Sequence, residues 1–179
     1  MGALDEYLTA LDALPPEKRE AVIEEALDGT KDMVWVPTPG PQTDAFFSEA
    51  DELLFGGEAG GGKSDLIIGL SLTEHHRSLV LRRTNKEAEK LFDRYESIIG
   101  NDDGKNAQKG WRIGDKIIDI GGCQLESDKQ KRKGIPHDLK AFDELVDFTE
   151  SQYTFIITWT RTTQPDQRCR VVATTNPPT

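Results

Sequence analysis

The segment Gly57-Glu58-Ala59-Gly60-Gly61-Gly62-Lys63-Ser64 limits what this chain can fold into more than any other stretch. Gly57, Gly62, Lys63 and Ser64 meet the spacing G-x-x-x-x-G-K-[ST]. With Gly57, Gly60, Gly61 and Gly62, the backbone can curl until successive N–H groups point inward at one anion. Just before the turn, Leu53-Leu54-Phe55-Gly56 reads as a buried strand. Just after it, Lys63 to about Glu74 reads as a helix with Leu66, Ile67 and Leu70 on one face. A strand feeding such a turn, and a helix leaving it, put the positive end of the helix dipole behind the same anion. A chance glycine-rich turn would lack that flanking pattern.

These residue types in this order suit the phosphates of a nucleoside triphosphate, so ATP and Mg2+ are the expected ligands. Lys63 can reach the β- and γ-phosphates, and the Ser64 hydroxyl can ligate the magnesium that bridges them. Hydrolysis also needs an acidic residue at the end of a second strand. Leu139-Lys140-Ala141-Phe142-Asp143-Glu144 supplies one. Asp143 is the expected magnesium holder, directly or through water. Glu144 is expected to orient and deprotonate the attacking water. Lys140 interrupts the apolar run of that strand, and a charged turn after an ordinary strand is the plainer reading of the acid pair taken alone.

The remaining pattern alternates strands and helices. Ser78 to Arg83 reads as a strand, and Thr84 with Glu87 forms a capping box for a helix that Gly100 ends. Trp111 to Ile120 reads as a β-hairpin turning at Gly114-Asp115. Thr149 with Gln152 caps another helix, and Arg170 to Thr174 is the last strand. The expected fold class is α/β: a P-loop NTPase of ASCE or RecA-like type, with a mostly parallel sheet and helices on both faces. Two amphipathic helices precede it. One carries Leu4, Tyr7, Leu8, Leu11 and Leu14; the other carries Val22, Ile23, Ala26 and Leu27 and has Gly29 as its stop. Residues 1–33 are therefore a helical N-terminal segment, and residues 34–179 the ATPase domain. Ligands of such sheets bind at the carboxyl ends of the strands, and the chemical candidates cluster there.

The motifs together resemble the ATPase domain of a tailed-phage terminase large subunit. Thr38-Pro39-Gly40-Pro41-Gln42-Thr43-Asp44-Ala45-Phe46-Phe47 resembles the segment upstream of that family's phosphate loop, in which a glutamine reads adenine; Gln42 matches it. Leu53 to Ser64 resembles the loop itself, and Val80-Leu81-Arg82-Arg83-Thr84 the strand and basic turn that follow. Gly134 to Glu144 resembles the approach to the acidic motif. Val172-Ala173-Thr174-Thr175-Asn176-Pro177 resembles the coupling motif, so Thr174, Thr175 and Asn176 are implied to sense the γ-phosphate. The resemblance runs from about Trp35 to Pro178. It implies hydrolysis of ATP to drive double-stranded viral DNA into a procapsid in the host cytoplasm. It also implies a portal protein and a small terminase subunit as partners, with a ring of subunits on the portal and a monomer away from it.

Three departures from the family pattern follow. A nuclease domain is expected beyond this chain, which reads as a fragment, so no nuclease role falls on any residue here. The sheet is expected to lack a strand or its covering helices. Glu58-Ala59 stands where many members carry an arginine, so an arginine finger must come from elsewhere. The resemblance implies a finger supplied by a neighbouring subunit of the ring; Arg132 is the candidate, with Arg161 and Arg83 as rivals. Other readings are a helicase-type motor, a small-molecule kinase, for which no acceptor or lid signature is present, and a nucleotide-holding assembly module that does not hydrolyse.

Charge narrows the partners. The formal net charge is -10, so DNA contact must be local rather than through bulk charge. Lys129-Gln130-Lys131-Arg132-Lys133 is the densest basic stretch; Lys131 and Lys133 could touch phosphates, although a solvated loop is the plainer reading. No apolar run approaches the roughly 18–20 residues of a membrane span, and no membrane partner is expected. Cys123 and Cys169 are isolated and read as reduced thiols. His75, His76 and His137 have no metal-site spacing.

Overall fold

The computed structural model describes residues 3–58, 60–106 and 110–177. Helices α1 (Ala3–Asp12) and α2 (Pro16–Thr30) lead to a short helix α3 (Pro41–Phe47). Strand β1 (Glu52–Gly56), helix α4 (Lys63–Thr73), strand β2 (Arg77–Arg82) and helix α5 (Asn85–Ile99) follow. Then come β3 (Lys105–Asn106), β4 (Gly110–Ile113), β5 (Lys116–Gly122), a 3-10 turn at Glu126–Arg132, β6 (Leu139–Phe142), α6 (Glu150–Ile157) and β7 (Arg170–Thr175).

The seven strands form one sheet in the order β1-β7-β6-β2-β5-β4-β3. The first five run parallel, and β4 and β3 close the far side antiparallel. The chain is thus an α/β protein with a mixed, mostly parallel sheet. All five parallel strands end on one edge. Register there is specific: Gly56 lies beside Thr175, Phe142 beside Ala173, and Leu81 beside Phe142. The residues one step further, Thr174, Asp143 and Arg82, are consequently side by side.

Alternation along the strands supplies two cores, because successive side chains point to opposite faces. Val80, Ala141 and Val172 pack with Leu66, Ile67 and Leu70 of α4 and Leu91 and Tyr95 of α5. Leu79, Leu81, Phe142, Val171 and Ala173 pack with Ile156 of α6. Burying a Leu or Ile side chain contributes about 1.5–3 kcal/mol, so these two layers fix the sheet that carries the site.

Both capping boxes form. Thr84 accepts from Glu87 N at 3.2 Å, Glu87 Oε2 accepts from Thr84 N at 2.8 Å, and Gly100 closes α5 at φ 82°. Thr84 Oγ1 also donates to Glu87 Oε2 at 2.8 Å, and the side-chain and backbone bonds from Thr84 hold the Glu87 carboxyl below its usual range. Thr149 and Gln152 cap α6 in the same way. Helix α2 runs one residue past Gly29. On the N-terminal helices, Leu8, Val22 and Ile23 stay outside both cores, 48%, 45% and 42% exposed.

The segment before β1 is more ordered than its prolines suggest. Trp35 lies so close to α4 that a Cβ on Gly69 would meet its ring at 2.2 Å. Gly69 costs the helix about 1 kcal/mol relative to alanine, and the close approach of the indole explains its use. Arg170, 3% exposed, donates to Ala45 O and Phe46 O at the end of α3. A cation there complements the negative helix terminus, although burial holds this guanidinium below its ordinary pKa. Together these contacts set Gln42 against the glycine-rich turn.

Candidate functional site

The turn after β1 is built as its sequence demands. Gly57 N donates to Thr175 O at 3.3 Å, and Gly61 N to Glu58 O at 3.4 Å. Gly60 and Gly62 take φ of 88° and 67°, conformations that side chains other than glycine rarely adopt. Ala59 lies outside the described residues. Lys63, 8% exposed, donates from Nζ to Gly57 O at 2.8 Å and to Glu58 O at 2.6 Å. An ammonium has three donors, so one remains for an anion.

Opposite the turn stands the acidic strand end. Asp143 is 1% exposed. Ser64 Oγ donates to its two oxygens at 3.1 and 3.0 Å, and Thr174 Oγ1 to Oδ1 at 2.7 Å. Arg82 Nε lies 2.6 Å from Oδ2 without the alignment of a hydrogen bond. Glu144 follows at φ 65°, ψ 67°, a left-handed conformation that costs a non-glycine residue about 1–2 kcal/mol. Its N–H donates to Thr174 Oγ1 at 3.1 Å, and Asn176 Nδ2 donates to both its oxygens, at 2.8 and 3.0 Å.

A cleft of about 350 Å³ joins these parts, lined by Gly60 to Asp65, Glu144 and Asn176. The glycine-rich turn, Lys63 and the Glu144 side chain therefore face one space. The donor set, one hydroxyl beside one buried carboxylate, suits magnesium, which keeps several waters and phosphate oxygens and takes only one or two protein ligands. A dedicated all-protein cage is a different arrangement, and no cluster of three His, Cys, Asp or Glu side chains occurs among the described residues.

Of the residues expected at the site, Gly57, Gly60, Gly61, Gly62, Lys63, Ser64, Asp143, Glu144, Thr174 and Asn176 converge. Thr175 takes part through its backbone at Gly57, while its hydroxyl bonds Asn176 O at 3.0 Å. Gln42 reaches the turn, but its amide is engaged there. Oε1 accepts from Thr38 N and Thr38 Oγ1, both at 2.5 Å, and Nε2 donates to Gly62 O at 2.8 Å. In this arrangement Gln42 braces the loop.

The arginines separate by register. Arg132 folds over its own chain at the end of β5, with Nη2 3.5 Å from Gly122 O, and burial lowers its pKa. That places it four strands from β1, away from the glycine-rich turn of its own chain. Arg83 is held by Gln152 Oε1 at 2.9 Å, and Arg161 by Gly134 O at 3.1 Å. Arg82 is the arginine at the site. Strand β2 ends at Arg82, one residue before the Arg83 of its sequence pattern, and this sets Arg82 level with Asp143.

Each histidine pairs with an aspartate on another element: His75 with Asp138, His76 with Asp115 and His137 with Asp119. His137 Nδ1 also lies 2.9 Å from Lys140 Nζ. Lys140 is fully buried, and burial, with the charge of Arg132 behind it, brings its pKa down to about 8. Lys131 pairs with Asp128 and Lys129 with Glu126, so half the basic stretch is internally balanced.

The fold and site define an α/β protein with a candidate anion-and-metal pocket at the carboxyl ends of its parallel strands. No protein-family model matches the chain, and no curated protein sequence matches it. No helix among the described residues is long and apolar enough to cross a membrane.

Proposed function

We propose that this chain is the ATPase part of a DNA-packaging motor of the terminase large-subunit type, a P-loop NTPase. The observation that carries the reading is the Ser64–Asp143 contact, which joins the phosphate turn to the acid strand across β7. Lys63 would hold the terminal phosphates, and Ser64 and Asp143 would hold magnesium. Bound magnesium supplies charge neutralisation on the phosphate oxygens. Glu144, which lines the cleft together with the turn, would take the proton of the attacking water. Asn176 holds that carboxylate through both oxygens, so a shift at the coupling strand would release or retain the base. Thr174 touches Asp143 and Glu144 alike, which ties the same strand to both roles.

Double-stranded DNA, a portal protein and a small terminase subunit would be the partners, in a ring of subunits in the host cytoplasm. The order Gln42, phosphate turn, Asp143-Glu144, Thr174-Thr175-Asn176, and their convergence in space, support this assignment. The test is phosphate release by the parent and by Lys63→Ala, with and without DNA and portal protein. Turnover that needs Lys63 and rises with DNA and portal supports the motor. Nucleotide binding without turnover under any condition favours an assembly module instead.

A further inference from the structure

Asp143 needs a counter-charge. A carboxylate at 1% exposure is costly unless it is paired. Its two hydroxyl donors, Ser64 and Thr174, are neutral. Lys63 spends its ammonium on Gly57 O and Glu58 O, and Arg83 is turned to Gln152. Among the described residues, the cation in an ion pair with Asp143 is Arg82.

That pair is held by charge rather than by a hydrogen-bonded fork. Arg82 Nε is close to Oδ2 but misaligned, and its guanidinium makes no other hydrogen bond among the described residues. The Arg82 side chain is 22% exposed against 1% for Asp143, so the arginine has a wet side to move into and the aspartate has none. An arginine meant to lock a carboxylate permanently would use two parallel N–H···O bonds. The Ser64 hydroxyl, by contrast, can go on donating to Asp143 while its lone pairs face a metal.

We propose that Arg82 is a positioning residue that acts as a displaceable counter-ion: it neutralises Asp143 before loading and gives up Oδ2 when magnesium and nucleotide enter together. This rests on the phosphate-loop reading above and adds a regulation to it. Metal-free protein is kept folded and its carboxylate orderly, and loading is coupled to release of an arginine from the pocket wall. Arg82 thereby sets how much magnesium the site requires.

The experiment is titration of a non-hydrolysable ATP analogue at a series of magnesium concentrations. Parent, Arg82→Gln and Arg82→Lys are compared, with metal-free analogue as the reference. Arg82→Gln should lower the half-saturating magnesium concentration by about tenfold, the scale of a close charge pair, without tightening metal-free binding. Arg82→Lys should stay near the parent. A merely structural arginine would weaken both kinds of binding together. Unchanged or higher magnesium demand in Arg82→Gln overturns the proposal while the parent's binding leaves the phosphate-loop reading intact. Failure of the parent to bind the analogue at any magnesium concentration overturns both. A second readout needs no Arg82→Gln protein: the Arg82 Nε–H resonance of the parent, assigned by its loss in Arg82→Lys. It should shift on adding magnesium with the analogue, and a resonance that stays put contradicts displacement.

Discussion

Ser64 Oγ donates to both carboxylate oxygens of Asp143, joining the first turn of α4 to the end of β6 across 79 residues of sequence. The hydroxyl and the carboxylate are thus pre-set as a pair. Ser64→Ala removes one donor from a buried carboxylate, which costs about 1–3 kcal/mol of stability. It should also weaken magnesium-dependent nucleotide binding by about tenfold or more and leave metal-free binding nearly unchanged. Paired titrations with and without magnesium check the split; equal losses in both would contradict the metal role of Ser64.

Glu144 combines a strained backbone with the carboxylate proposed as the general base, so its substitutions should separate stability from turnover. Glu144→Gln should bind ATP like the parent and lose hydrolysis by about a hundredfold or more, the range of a general base. Glu144→Gly relieves the left-handed strain and should be at least as stable as the parent, by up to about 1 kcal/mol, while equally inactive. Denaturant melts beside phosphate-release assays test both halves. A clear loss of stability in Glu144→Gly would mean that the side-chain bonds to Asn176 outweigh the strain.

Gly62 sits between its own positive φ and the Gln42 amide. A Cβ there would meet Gln42 Nε2 at 2.5 Å. Gly62→Ala should cost about 1–3 kcal/mol and abolish nucleotide binding. Gln42→Ala in the same chain should recover part of the stability, by removing the collision, but not the binding, because the backbone strain remains. Melting midpoints of the single and double variants decide between collision and strain.

Lys140 gives a pH signature. Its folded pKa of about 8 lies below the roughly 10.4 of an unfolded lysine. Between those values the unfolded chain binds more protons, so this residue makes stability rise with pH through that window. Below about pH 8 the charge is buried at a cost on the scale of 1.4 kcal/mol per unit of displacement. Lys140→Met should therefore be more stable than the parent at pH 7, and the gap should shrink toward pH 10. A gap independent of pH would show that Lys140 is not the titrating group.

Much of the site could be read from local spacing. The glycine-rich turn, the acid pair after an apolar strand and the two capping boxes are each written within a few residues, and each forms as read. What escaped the sequence depends on register between distant strands. Arg82 reaches Asp143 only because Leu81 pairs with Phe142. The buried Lys140 interrupts an apolar run where it meets His137, whose other ring nitrogen pairs with Asp119, 18 residues before that histidine. Helix α3 was hidden by the prolines around it, and its cap, Arg170, comes from the last strand. The exposed Leu8, Val22 and Ile23 show the converse: helical spacing marks a face, not what covers it.

The central claim is that the Gly57–Ser64 turn and the Asp143-Glu144 strand end bind one magnesium–nucleotide complex. Its most direct test is a crystal structure with magnesium and a non-hydrolysable ATP analogue. The account predicts terminal phosphates in the turn against Lys63 Nζ, a metal about 2.0–2.1 Å from Ser64 Oγ, Asp143 in its first or second coordination sphere, and Glu144 facing a water near the γ-phosphate. Nucleotide bound elsewhere, or a metal out of reach of both Ser64 and Asp143, would contradict it.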